Sequence, residues 1–521
     1  MGSLAQKFDQ LAGIEPDSNV RYLDRACFAF LIITTISAPH SIAATQTAWL
    51  IGLACLIIRL FLRPRLKLRI GVPDLAILGL FLWTVVTAFL SYDQPTSLGK
   101  LRSAAVFVIF YFALYNLRNL RAVFFVAIVL IGSCMVNVIW VPIERLIGRG
   151  VEIHKLAAES PLAKALLNEG DTLLAANKKK VRTPEDLVAI LEQSETAEVT
   201  FYRPDFEFTV IVKSTDLLPG STAIERLGIG SWQKSRNWRS AGFYGHYATY
   251  AEVLQLVGSL LFGITAAGLA AWLRRRRGFG TTASAVPSTR DLALFAAAFA
   301  MIAIALLLTI TRAPQLGLML SVAVVVLVGF GRNWLFVVAL FLVPIAIGGL
   351  LFLQQSRQIG FFDQNDESTR YRFVMLRDGI RIATESPRNF IFGVGVDSVK
   401  KNWQEWGMFE NGKLPVSHFH STPVQLLVER GAPGLILWLL MMGVLVSSIW
   451  RTLFSSEALD WRARGVLLGC LGASVGFLAS SVVHYNFGDQ EVVMTFYLMM
   501  ALAIGAGRTS EFGPTQNGPS G

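Results

Sequence analysis

Apolar runs, each near the length of a membrane-crossing helix and each ended by charged, Gly or Pro residues, repeat along most of the chain. A spanning helix needs about 20 mostly apolar residues. Runs of that kind fall near 25–42, 44–62, 73–91, 103–118, 122–142, 244–272, 291–310, 314–330, 333–353, 432–450, 465–483 and 490–507. They predict an all-α polytopic membrane protein of about twelve transmembrane helices. Two stretches break the pattern, 143–243 and 354–431. The first turns to strand-like alternation, and the second mixes a basic helix with Pro, Gly and His turns. The predicted organisation is five spans over 1–143, a small α/β domain over 148–215, four spans over 216–353, a helical loop over 354–431, three spans over 432–508 and a tail over 509–521.

Composition agrees with the pattern. Hydrophobic residues make up 53% and charged residues 16%, against about 25% charged in soluble domains. A disordered chain, a collagen-like rod and a disulfide scaffold are excluded, since Cys27, Cys55, Cys134 and Cys470 all lie in apolar runs. A net charge of +11 would point to nucleic acid in a soluble protein. Here the basic clusters sit between apolar runs and describe topology instead, so no nucleic acid partner is expected. The clusters are Arg59 to Arg69, Arg118 with Arg121, Arg274 to Arg277, Arg332, and Arg451 to Arg464. Counting spans puts them all on the side of the N-terminus, which the positive-inside rule makes cytoplasmic. Both termini are thus expected in the cytoplasm and both long segments outside it. Lys100 and Arg102 break the rule at the outer end of the fourth span. The polar start MGSLAQKFDQLAGIEPDSNVRYLDR lacks the marks of a cleaved leader, so the first helix is expected to stay as an anchor.

Within the first long segment, VEIHKL, TLLAAN, EVTFYR and EFTVIV read as strands. SPLAKALL and TPEDLVAILEQ read as helices with Ser-Pro and Thr-Pro starts. This string resembles a PDZ domain of the bacterial protease type, through SPLAKALLNEGDTLLAANKKKV with Glu169, Gly170, Asp171 and Asn177. The resemblance implies a peptide groove opening at Leu146–Gly150, with Gly148, Gly150 and Val151 taking a peptide or protein C-terminus by strand addition. The alternative is a spacer whose groove is unused.

The second long segment carries the candidate chemistry. On a helix Arg370, Arg377 and Arg381 share one face, with Arg372 turned away. Such a stripe suits a diphosphate or acidic glycan, and equally a solvated face or one on lipid headgroups. His418 and His420 follow, ahead of Gln425 and Glu429. A neutral imidazole accepts a hydroxyl proton near pH 7. A metal reading needs a third ligand at useful spacing, and Asp363, Asp366 and Glu367 are about fifty residues away, so neither metal nor cofactor is expected. Glu429 either orients the histidine segment or caps its helix before Gly431. Gly393 and Gly395 lack the third glycine and the βαβ context of a dinucleotide site. His484, Tyr485 and Asn486 stand at the last outer turn.

From about residue 225 onward the chain resembles the O-antigen ligase and O-antigen polymerase superfamily. The resemblance rests on the ordered series WRSAGFYGHYATYAEVL, LTITRAPQLGLML, RFVMLRDGIRIATESPRNFIFGVG and HSTPVQLLVERGAPGL. It implies a bacterial inner-membrane, metal-independent, inverting glycosyltransferase with its long loops in the periplasm. The donor would be a glycan on undecaprenyl diphosphate, and the acceptor lipid A core for a ligase or a growing glycan for a polymerase. The resemblance puts His420 at the catalytic histidine and Arg239 and Arg312 at diphosphate-holding arginines, with Arg372 fitting the spacing to Pro387 better than Arg370. Ser421 stands where the family commonly has Asn, and Gly245-His246-Tyr247 replaces an Asn-rich stretch. A transporter would place ionisable residues at mid-membrane, and a PDZ scaffold would need few spans.

Overall fold

The computed structural model describes residues 4–15, 18–63, 71–203, 206–278, 286–331, 333–334, 348, 367–414, 416–455 and 459–511. The chain forms two compact units, one of residues 1–137 and 243–521 and the other of residues 138–242.

The larger unit is helical. Its first part runs through α1 (Leu4–Ala12), α2 (Arg21–Ser37), α3 (Ile42–Phe61), α4 (Val72–Phe89), α5 (Gln94–Ala104), α6 (Val108–Asn116) and most of α7 (Leu120–Ile147). Among the described residues ten helical segments are long and apolar enough to cross a membrane, with α5 and α6 counted together as Gln94–Asn116. The protein is a multi-pass membrane protein. Of the twelve expected spans, 25–42 corresponds to α2, whose 17 residues fall short of that length. The expected span 333–353 lies almost wholly outside the described residues.

Local chemistry sets the helix starts. Asp74 folds back onto the Gly71 N–H (2.6 Å) to open α4. Ser288 and Asp291 form a reciprocal capping box at the start of the helix Thr289–Leu308, satisfying N–H groups that have no intrahelical partner. Two of the basic residues that mark topology also carry structure. Asp24, almost fully buried, accepts from Arg59 at 3.1 Å, Arg118 at 2.7 Å and Tyr115 at 3.0 Å, tying α2 to α3 and to the α6–α7 turn.

The smaller unit carries an antiparallel sheet of β1 (Arg149–Leu156), β2 (Thr172–Ala176), β3 (Lys179–Lys180), β4 (Thr196–Arg203), β5 (Phe206–Lys213) and β6 (Ile229–Ser235). The order is β5-β4-β2-β1-β6, with β3 pairing β2. Helices α8 (Pro161–Lys164), α9 (Pro184–Glu192) and α10 (Ala223–Leu227) complete it. Val151, Ile153, Leu173, Leu187, Leu191 and Phe201 are in its core. Arg203 clamps Asp171 through two hydrogen bonds of 2.9 and 2.7 Å.

The expected groove at β1 has no room for an added strand. Val151 is opposite Leu173 of β2, while Arg149, Ile153 and Leu156 are opposite Ser235, Trp232 and Ile229 of β6. Both edges of β1 are therefore occupied. Gly148 and Gly150 serve close strand approach instead, since a Cβ on Gly150 would lie 2.2 Å from the Leu173 carbonyl oxygen. Strand β6 falls outside 148–215, and its sequence IGSWQKS buries only Ile229 and Ser235, too weak an alternation to read as a strand.

The rest of the larger unit continues through α11 (Tyr247–Arg276), α12 (Thr289–Leu308), α13 (Arg312–Phe330), α14 (Glu367–Thr384), α15 (Pro387–Phe392), α16 (Thr422–Ser455), α17 (Trp461–Ser481) and α18 (Gln490–Glu511). Helices α11 and α17 touch through bare backbone, because a Cβ on Gly263 would come within 2.1 Å of the Gly469 nitrogen. Small residues of this kind let helices pack where lipid removes the hydrophobic drive. Between α14 and α16 the chain builds its own core from Met375, Ile382, Val394, Met408, Phe409, Phe419 and Val428. That core makes 367–428 a folded platform.

Candidate functional site

The platform holds one histidine pair. After the buried Phe419, the chain turns at His420, whose φ of +47° is in the left-handed region, and then enters α16. Such a backbone persists only where its surroundings fix it. The Phe419 N–H donates to Gln425 Oε1 at 2.8 Å. Gln425 Nε2 donates to Glu429 Oε1 at 2.8 Å, and the same oxygen accepts the Asp397 N–H at 2.8 Å. Gln425 and Glu429 are both buried. Of the two roles open to Glu429 in the sequence, the geometry is that of a brace. It joins the histidine turn to the Gly393–Asp397 loop, which also pairs with α16 through Val394 N–H to the Val428 carbonyl at 2.8 Å.

A second brace holds the start of α16. Thr422 donates from its N–H (3.0 Å) and its hydroxyl (3.1 Å) to the His484 carbonyl, and His484 Nδ1 is 2.8 Å from the buried Glu252 of α11. Asn486 Oδ1 accepts from Thr422 Oγ1 at 3.0 Å and from Ser481 Oγ at 2.9 Å. The turn 484–486 therefore stands behind the histidine pair and fixes it from the other side.

The rings form a compact group. His418 and His420 lie with centroids 4.3 Å apart and nearly perpendicular. Tyr371 of α14 is 5.5 Å from His420, and Tyr485 is 5.6 Å from His418. His418 Nδ1 accepts the His420 N–H at 3.3 Å, so the neutral His418 ring carries its proton on Nε2. Burial lowers His420 to about 3, helped by His418, Arg372, His484 and His246. Burial likewise lowers His418 to about 4, with Lys400, His484 and His246 adding to it. Both rings are neutral near pH 7 and present a lone pair to a donor.

The shift has a stability consequence. Both folded values lie below the ordinary ~6.5, so under pH 6.5 the unfolded chain takes up protons that the folded chain excludes. Stability contributed here is present above pH 6.5 and is lost as pH falls toward 4 and then 3. The unfolding midpoint of the purified protein is expected to drop between pH 6.5 and 4. A His418→Gln, His420→Gln double variant should show a shallower drop. Equal slopes would assign the acid sensitivity to other groups.

The arginines divide. Arg370 makes two contacts of 3.1 and 3.0 Å with Glu410, Arg377 pairs with Asp378 at 3.2 Å, and Arg381 donates to the Trp406 carbonyl at 2.7 Å. Arg370 and Arg381 of the expected stripe thus hold the 406–410 segment against α14, while Arg377 pairs within the helix. Arg372 is the one whose charge bears on His420. Arg312 is half-buried at the first position of α13, in the same unit as His420. Arg239 belongs to the smaller unit, where its N–H donates to the Tyr202 hydroxyl at 3.4 Å. Lys100 pairs with Asp397 at 2.9 Å, anchoring the Gly393–Asp397 loop to α5. Among the described residues no three His, Cys, Asp or Glu side chains group so as to hold a metal ion. Asp363 and Asp366 lie outside the described residues.

Two contributors escaped the sequence reading: Tyr371 and Glu252. Glu252 had a signal, since it is a charge at the edge of an apolar run, where ionisable residues are costly and placed for a reason.

Residues 296–439 match the family model described as O-Antigen ligase. The matched stretch contains Arg312, Arg370, Arg372, His418, His420, Gln425 and Glu429. No curated protein matches the chain.

Proposed function

We propose, from the match of residues 296–439 to the O-antigen ligase family model, that the chain transfers a glycan from undecaprenyl diphosphate to an acceptor hydroxyl on the outer face of the bacterial inner membrane. The observation that carries this reading is the neutral, braced His420 beside the Arg372 charge, inside the matched stretch. In this reading both termini are cytoplasmic and the platform is periplasmic, as the basic clusters indicate.

The chemistry is one inverting displacement. His420 accepts the acceptor's hydroxyl proton as that oxygen forms its bond to the anomeric carbon. The bond from that carbon to the diphosphate oxygen breaks, and undecaprenyl diphosphate leaves with the bonding pair. Diphosphate is a good leaving group, so no second carboxylic acid of the glycosidase kind is required. Arg312 and Arg372 stabilise charge that grows on the leaving oxygens in the transition state. A bound diphosphate also brings negative charge beside His420, which strengthens the imidazole as a base in the loaded site. Arg239 remains a candidate diphosphate contact on the resemblance alone. Lipid A core is the favoured acceptor; a growing lipid-linked glycan is the alternative.

Purified protein in liposomes, given undecaprenyl-diphosphate-linked glycan and lipid A core, should release undecaprenyl diphosphate and form the conjugate. The rate should be the same with and without a metal chelator. Failure to transfer to either acceptor would overturn the reading, and a chelator-sensitive rate would overturn its metal-independent form.

A further inference from the structure

Arg430 is an arginine whose surroundings leave part of its hydrogen-bonding capacity unspent, since Tyr485 takes up one edge of the guanidinium and leaves Nε and Nη1. It sits at the point where α16 breaks at Gly431, its side chain is 9% exposed, and its Nε and Nη1 have no hydrogen-bond partner among the described residues. The buried Arg59 of the same unit, by contrast, donates from Nε to Asp24 and from Nη1 to the Leu62 carbonyl. The carboxylate beside Arg430 does not play that part. Glu429 Oε1 is taken by Gln425 and the Asp397 N–H. Glu429 Oε2 stands 3.8 Å from Arg430 Nη1, beyond hydrogen-bond length, and has no partner of its own. A guanidinium kept from water with two of its nitrogens unpartnered is costly, so the position suits an acceptor that a ligand supplies.

Its neighbours say which acceptor. The Tyr485 phenol is pushed up by burial, and the Arg430 guanidinium is close enough to oppose that push. Tyr485 in turn packs against His418, and His418 against His420. Arg430 is therefore one aromatic ring away from the histidine pair.

We propose that Arg430 binds phosphoryl oxygens of the lipid-linked diphosphate, through hydrogen bonds from Nε and Nη1, at the edge of the histidine site. Nε and Nη1 lie on different edges of the guanidinium, so they reach the anion as two separate charge-assisted hydrogen bonds. This inference rests on the glycosyl-transfer reading above and adds to it an anion contact outside the predicted arginines.

The test is binding of undecaprenyl diphosphate to wild type, Arg430→Gln and Arg430→Lys in phosphatidylcholine nanodiscs, with thermal unfolding measured on each. Arg430→Gln should weaken binding by about tenfold or more. Arg430→Lys keeps the charge without the two fixed N–H donors and should fall between; it carries the test if the glutamine variant does not fold. Exchange of the bilayer for phosphatidylglycerol should leave the wild-type affinity unchanged. Strong competition by phosphatidylglycerol would make the site a headgroup site and overturn the assignment. Equal affinity in all three proteins would overturn the inference alone, whereas a wild type that binds no lipid diphosphate would overturn the glycosyl-transfer reading with it.

Discussion

His420→Ala should lower the rate of glycan transfer by about 10²–10⁴-fold, the range for loss of a positioned general base. The protein is expected to remain folded. The turn that carries His420 is held by the Phe419 N–H on Gln425 and by Thr422 on His484, neither of which involves the His420 ring. Donor affinity should change little, because the groups assigned to the diphosphate are Arg312, Arg372 and Arg430. The signature is thus a fall in kcat with a nearly constant KM for the lipid-linked donor. Purified variant and wild type, assayed side by side in liposomes, give the comparison. A variant that keeps the wild-type kcat would remove His420 as the base.

Gly431→Ala should destabilise the protein strongly. Gly431 breaks α16 with a φ of +68°, and a Cβ there would stand 2.1 Å from the Ile391 carbonyl oxygen. That oxygen belongs to the end of α15, one residue before Phe392 and the Gly393 turn. Gly393 faces the same crossing, since its own Cβ would meet the Glu429 carbonyl carbon at 2.4 Å. The two glycines let the Gly393–Asp397 loop lie on the break in α16, which is what places Glu429 to brace the histidine turn. Strained φ and overpacking together should cost about 2–5 kcal/mol. Thermal unfolding and membrane abundance of the variant report it. Gly443→Ala is the control: nothing lies within 4 Å of its Cβ position, so its unfolding midpoint should be unchanged or slightly raised. Equal behaviour of the two variants would refute the crossing as a structural constraint.

Much of the architecture was legible because a membrane-crossing helix is written as an unbroken apolar run. The small α/β unit was legible through β5, where alternation and turn residues are strong, and failed at β6, whose polar sequence pairs with β1 from far along the chain. For the same reason the expected peptide groove at Gly148, Gly150 and Val151 was misplaced, as the strand that fills the edge of β1 is separated from it by the whole unit. In the candidate site, the spacing of His418, His420, Gln425 and Glu429 already contained the turn and its brace. The arginine stripe was expected as one helical face. Glu410 and Trp406, the partners of Arg370 and Arg381, come from a segment further along the chain, and spacing along one helix cannot reveal them. Arg430 was hidden by its context, a charge beside Glu429 at the edge of an apolar run, where residue type alone does not distinguish an anchor from a ligand contact.

The central claim, that His420 is the base of a glycan transfer to an acceptor hydroxyl, is tested most directly by the glycan profile of cells carrying His420→Ala in place of the wild-type gene, with membrane levels of the protein measured in parallel. The account predicts finished polymer left on its lipid carrier and bare lipid A core, or single lipid-linked repeats if the acceptor is a growing chain. An unaltered profile at normal protein level would contradict it.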